Sequence, residues 1–104
     1  MSINEFSGKT VLVTGGSSGI GLASAKAMLQ RGAKHVFING RDQSKLDRVK
    51  EELGEAVTVI QADLSKVIQI QAMAKTIQNT GLQIDVLFAN AGIAENNEIL
   101  STSE

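Results

Sequence analysis

Residues Thr10–Ala25 read TVLVTGGSSGIGLASA. An apolar run enters Gly15-Gly16-Ser17-Ser18-Gly19-Ile20-Gly21 without a break, and residues compatible with a helix follow. A continuous apolar run, rather than an alternating one, marks a strand covered on both faces. Glycines permit the tight turn out of that strand and let backbone approach a pyrophosphate closely. The start of the helix then offers unpaired N–H groups and a partial positive charge to phosphate. Ser17 and Ser18 add hydroxyl donors, and Gly21, with Ala23 and Ser24 after it, lets the helix lie close on the sheet. A turn that merely needs glycine is the plainer alternative. The context favours a dinucleotide loop, because the glycines come first in the chain, follow a buried strand and open a helix. No Gly-Lys-Ser/Thr follows, so the loop is not a P-loop, and a kinase or NTPase is disfavoured.

The rest of the chain repeats this rhythm. The apolar runs KTVLVT (Lys9–Thr14), HVFIN (His35–Asn39), AVTVIQ (Ala56–Gln61) and DVLFAN (Asp85–Asn90) alternate with helix-period stretches. The first helix is expected near Ile20–Gln30, with Ile20, Ala23 and Ala27 on one side and Gly32 after it. The second covers Gln43–Leu53, with Leu46, Val49 and Leu53 on its apolar face and Gly54 as its stop. The third covers Lys66–Asn79, with Ile70, Met73, Ala74 and Ile77 in a stripe, Ser65 or Asp63 as its cap and Gly81 at its end. The order βαβαβαβ predicts an α/β fold with a parallel sheet and right-handed crossovers. In the usual doubly wound order this is expected to be a partial Rossmann-type sheet of strand order 3-2-1-4, truncated after the fourth strand. His35, Met28 and Met73 are isolated and read as packing or surface residues rather than ligands.

Composition narrows the function. The 104 residues bound the chain to one domain. A net charge of −1 supplies no basic field for nucleic acid or an anionic membrane. The absence of Cys removes disulfides, thiol nucleophiles and thiolate metal sites, and a single His leaves little for zinc, so no metal site is expected. No run approaches a membrane span, and MSINEFSGK has no signal-peptide core, so a cytoplasmic location is the expectation.

The end of the second strand reads FINGRD. In dinucleotide folds a residue about twenty positions past the glycines reads the adenosine ribose: an acid takes the 2′-hydroxyl of NAD, and an Arg accommodates the 2′-phosphate of NADP. Gly40 stands where the acid would be, and Arg41 follows with a planar fork of donors suited to phosphate. NADP(H) is therefore expected over NAD(H). A solvated loop charge is the alternative reading of Arg41. Asp42 either opposes the phosphate or, the better reading, caps the helix at Gln43.

With these residues in hand, the sequence resembles the N-terminal, cofactor-binding part of a short-chain dehydrogenase/reductase, from about Gly8 to Glu104. TGGSSGIG (Thr14–Gly21) is similar to the family's Thr-Gly-x-x-x-Gly-x-Gly, and NGR (Asn39–Arg41) to its NADP-type second strand end. ADLS (Ala62–Ser65) and NAG (Asn90-Ala91-Gly92) resemble two further family motifs, in the same order. The resemblance implies a cofactor site of Gly15, Ser17, Ser18, Gly19, Ile20, Gly21, Arg41, Asp63, Leu64, Asn90, Ala91 and Gly92. In it Asp63 faces the adenine amino group, Leu64 lies beside the ring, and Asn90-Ala91-Gly92 partly serves to tie down the strand end. A helix cap is the alternative reading of Asp63. The resemblance also implies hydride transfer between NADP(H) and a small-molecule carbonyl or alcohol in a longer parent. The family's catalytic Asn, Ser, Tyr and Lys all follow the fourth strand. This chain has no Tyr, so no catalytic residue is assigned, and Lys66 and Lys75 are read as helix-surface lysines.

The chain closes on Ser101-Thr102-Ser103-Glu104, a capping-box pattern that announces a helix. Residues 1–104 are accordingly expected to be the front part of a dinucleotide-binding domain, inactive alone. The fourth strand would then be a bare apolar edge that invites self-association. Two other readings compete. One is a non-catalytic dinucleotide-binding or scaffolding protein complete at Glu104. The other is a Rossmann-type enzyme such as a methyltransferase, which Gly40-Arg41 disfavours because that chemistry calls for an acid at the second strand end.

Overall fold

The computed structural model describes residues 6–15 and 19–89. The elements are β1 (Thr10–Thr14), α1 (Gly19–Gln30), β2 (His35–Gly40), α2 (Gln43–Leu53), β3 (Val57–Gln61), α3 (Val67–Asn79) and β4 (Val86–Ala89). The four strands form one sheet in the order β3-β2-β1-β4, and all three pairings are parallel. The expected fold class and strand order hold. Asn90, expected in the fourth strand, lies outside the described residues.

Given this strand order, constant crossover handedness places the helices. From β1 to β2 to β3 the chain steps in one direction, and its helices fall on one face of the sheet. The step from β3 to β4 reverses direction, so a right-handed crossover carries α3 to the opposite face. Strand parity matches. Val11, Val13, Val36, Ile38 and Val57 pack with Ala25, Met28, Leu46 and Val49 of α1 and α2. Leu12, Phe37 and Ile60 face the other way and pack with Met73 and Ile77 of α3. Phe37 is fully buried, a burial that contributes about 1.5–3 kcal/mol. The reversal opens a crevice between β1 and β4 at their C-terminal ends, where Thr14 and Ala89 are register partners. Ligands of open α/β sheets gather at such a switch point.

Three local expectations need correction. The buried side of α1 carries Gly21, Ala25 and Met28, whereas Ala23 is exposed and Ala27 half-buried. This helix is small and apolar nearly all round, so its pattern does not specify a face; the sheet selects the one through which backbone approaches most closely. In α3, Met73 and Ile77 are buried, Ile70 is half-buried and Ala74 is exposed. Nor does Ser65 or Asp63 cap α3. The N-cap is Lys66, with no side-chain hydrogen bond to the first turn, because the Asp63 carboxylate is held by Ser65 in the preceding turn.

His35 has a packing role, as expected. Its Nε2 shares a 2.7 Å hydrogen bond with Thr58 Oγ1 on β3, and its ring meets Phe37 edge-on at 5.0 Å. Met28 and Met73 are core residues. Among the described residues, no helix is long and apolar enough to cross a membrane, and no cluster of His, Cys, Asp or Glu is placed to hold a metal.

Candidate cofactor site

The glycine loop leaves the C-terminal end of β1. Gly15 has φ +68° directly after buried Thr14, and Gly19, the first residue of α1, has φ +60°. Side-chain-bearing residues seldom adopt either value. Gly19 is exposed, and a Cβ built on it meets no atom within 4 Å. Its conformation therefore calls for glycine, while the space in front of it stays open. The first turn of α1 contains no acidic residue, so nothing there offsets the positive end of the helix. Ile20 and Gly21 belong to that turn. Ser17 and Ser18, with Gly16, lie outside the described residues, as do Asn90, Ala91 and Gly92.

At the end of β2, Arg41 is exposed, and its guanidinium forms no ion pair among the described residues. Asp42 turns the other way. Its Oδ1 accepts from Ser44 Oγ at 2.7 Å, Ser44 N at 3.0 Å and Lys45 N at 3.3 Å. It caps α2, and these bonds, the Ser44 hydroxyl foremost, hold its carboxyl below the usual Asp range. The carboxylate beside Arg41 is thus committed to the helix behind it.

At the end of β3, Asp63 Oδ1 accepts from Ser65 N at 3.0 Å and Ser65 Oγ at 2.7 Å. The Ser65 hydroxyl bond is the main reason its pKa is lowered; the charges of Arg41 and Lys66 act in the same direction. Asp63 is therefore ionised at neutral pH. Its Oδ2 accepts no hydrogen bond among the described residues and is left for an incoming N–H donor. Leu64 is half-buried and packs on the cluster of Leu12 and Phe37. Arg41 and Asp63, twenty-two positions apart in sequence, thus share one edge of the sheet, close enough for the charge of one to act on the other.

Three amide side chains hold that edge, and the sequence alone assigned a role to none of them. Asn39, buried, donates through Nδ2 to the carbonyls of Ile60 at 3.3 Å and Ala62 at 3.1 Å. Gln61 Nε2 donates to the Arg41 carbonyl at 3.0 Å. Gln69 Oε1, on α3, accepts from Asp63 N at 2.7 Å. The one visible signal was Asn39, a polar residue at the end of an apolar run.

A glycine turn that opens a helix at the end of the first strand, an Arg at the end of the second and an ionised Asp just past the third fit a dinucleotide-binding site. Similarity to known proteins points to the same kind of fold. The description of the short chain dehydrogenase family matches residues 9–104. An uncharacterized oxidoreductase, YvrD, of Bacillus subtilis is 42% identical over 98 residues, which is 92% of this chain and 36% of that protein. The structure of Pseudomonas aeruginosa RhlG in an active-site complex with NADP superposes with a TM-score of 0.76 at 33% identity, over 86% of this chain and 36% of that one. A 3-ketoacyl-(acyl-carrier-protein) reductase from Brucella melitensis complexed with NADH gives a TM-score of 0.75 at 35% identity, over 80% of this chain and 34% of that one. The chain spans about a third of the length of these relatives. With four parallel strands in the order 3-2-1-4, a glycine loop at the switch point and a family match from Lys9 onward, the chain belongs to the short-chain dehydrogenase family.

Proposed function

We propose that this chain is the NADP(H)-binding part of an oxidoreductase that transfers hydride between NADP(H) and a small carbonyl or alcohol compound. The observation that carries the reading is an exposed Arg41, with no ion pair among the described residues, beside an Asp42 turned away to cap α2. Among the related structures, one is complexed with NADP and another with NADH, so the choice of cofactor rests on residues of this chain. Arg41 takes the 2′-phosphate through its planar donors. Gly15, Ser17, Ser18, Gly19, Ile20 and Gly21 form the pyrophosphate loop. Asp63 accepts from the adenine amino group, Leu64 lines the ring, and Asn90, Ala91 and Gly92 close the site at the fourth strand.

The nicotinamide, when bound, supplies or accepts the hydride. The residues here bind and orient the adenosine half and move no proton. The chain contains no Tyr, and the family's proton-transferring residue is a Tyr, so the 104 residues bind cofactor without turnover. A cytoplasmic location belongs to the same proposal. Titration with NADP(H) and NAD(H), with nicotinamide absorbance followed in the presence of simple ketones and alcohols, tests the reading. Selective NADP(H) binding without turnover is expected. Preference for NAD(H), or turnover by the chain alone, would contradict it.

A further inference from the structure

Beyond the residues expected to touch cofactor, the ends of β2 and β3 carry an arrangement that assigns separate tasks to two glutamines. The ladder between these strands ends with Gly40 opposite Gln61. One more backbone bond follows, from Ala62 N to the Gly40 carbonyl at 3.0 Å. Past that point no strand amide faces the Arg41 carbonyl, and the Gln61 side chain supplies the donor, at 3.0 Å. In effect it extends the ladder by one residue, to Arg41. Two residues past Gln61, Asp63 N has left the ladder, and Gln69 reaches from α3 to accept from it at 2.7 Å. The amide orientations are fixed by chemistry: a carbonyl requires the Gln61 nitrogen, and an N–H requires the Gln69 oxygen. Asn39 braces both from below through Ile60 and Ala62.

We propose that Gln61 and Gln69 are positioning residues that divide adenosine recognition between them. Gln61 sets the backbone from which Arg41 reaches the 2′-phosphate, and Gln69 sets the backbone from which Asp63 meets the adenine. The inference rests on the reading of Arg41 and Asp63 given above. Its consequence is a double dissociation, because the 2′-phosphate exists only in NADP(H) whereas adenine is common to both cofactors.

The test compares equilibrium binding of NADP(H) and NAD(H) by wild-type chain, Gln61→Met, Gln69→Met and Arg41→Ala. Met keeps the length of Gln and removes the hydrogen bond. Gln61→Met is expected to weaken NADP(H) about three- to tenfold, the worth of one positioning bond, and to leave NAD(H) unchanged. Gln69→Met is expected to weaken both cofactors by a common factor of similar size, and Gln69→Glu, which keeps the acceptor oxygen, to restore most of it. Retained NAD(H) binding by Gln61→Met shows that the variant is folded. Equal losses for both cofactors in Gln61→Met, or no loss in either, would overturn the inference. If Arg41→Ala weakens NADP(H) while Gln61→Met does not, the division of labour fails and the reading of Arg41 stands. If Arg41→Ala changes nothing, both fall together.

Discussion

The side-chain amide of Asn39, at the end of β2, donates to the carbonyl oxygen of Ala62, just past the end of β3, at 3.1 Å. The same nitrogen reaches the Ile60 carbonyl at 3.3 Å. One buried side chain thus ties together the two loops that present Arg41 and Asp63, and the site inherits its geometry from that bond.

Removing it is expected to be expensive for so small a side chain. Asn39→Ala strips a buried donor from two carbonyls, a loss of about 1–3 kcal/mol. Denaturant unfolding should show a lower midpoint with an unchanged slope. A variant as stable as wild type would mean that water replaces the amide at no cost.

The cap on α2 makes a second, independent prediction. Asp42→Ala should cost about 1 kcal/mol, and Asp42→Asn much less, since Asn is an equally good N-cap. The same unfolding experiment distinguishes them, and equal losses for Ala and Asn would show that Asp42 does not act as a cap.

His35 gives the fold a pH dependence. Partial burial, and secondarily the positive charge of Lys50, lower its pKa below the ordinary 6.5. The unfolded chain then binds the proton more readily than the folded one, so this contribution is fully present above the unfolded value and is lost as pH falls through 6.5 toward the folded value. Stability should decline over that window in wild type and decline less in His35→Gln. Parallel profiles for the two proteins would refute this.

A further prediction concerns the sheet edge. β4 pairs with β1 on one side, and among the described residues no strand pairs with it on the other. Leu87, on this strand, is 51% exposed. Open apolar edges recruit further strands. We expect the 104-residue chain to self-associate with rising concentration, and Leu87→Lys to reduce it, as read by sedimentation. A monomer at all accessible concentrations would contradict this.

What was legible in the sequence, and what was not, follows from the range of each interaction. Runs such as Lys9–Thr14 and His35–Asn39 announce buried parallel strands by continuity, and their alternation with helices predicts a parallel sheet, whereas the order 3-2-1-4 follows only from the usual doubly wound arrangement. Asp42 reads correctly as a cap because its partners, Ser44 and Lys45, are its neighbours. Asp63 does not, since two readings share the same local pattern and only the Ser65 geometry separates them. The face of α1 was hidden because small residues surround it. Gln61 and Gln69 were invisible because each acts on backbone that only the folded sheet brings within reach. Arg41 was legible as a candidate by its distance from the glycines; that its guanidinium forms no ion pair among the described residues emerges only in the fold.

The central claim is that Arg41 reads a 2′-phosphate. The most direct measurement is binding of two fragments, adenosine 2′,5′-bisphosphate and adenosine 5′-monophosphate, to wild-type chain and to Arg41→Ala. Pairing one phosphate with Arg is worth about 1.5–3 kcal/mol, or roughly ten- to a hundredfold in affinity. The account predicts that wild type prefers the bisphosphate by that factor, and that Arg41→Ala loses the preference while its affinity for the monophosphate is unchanged. Equal binding of the two fragments by wild type, or a preference that survives Arg41→Ala, would contradict it.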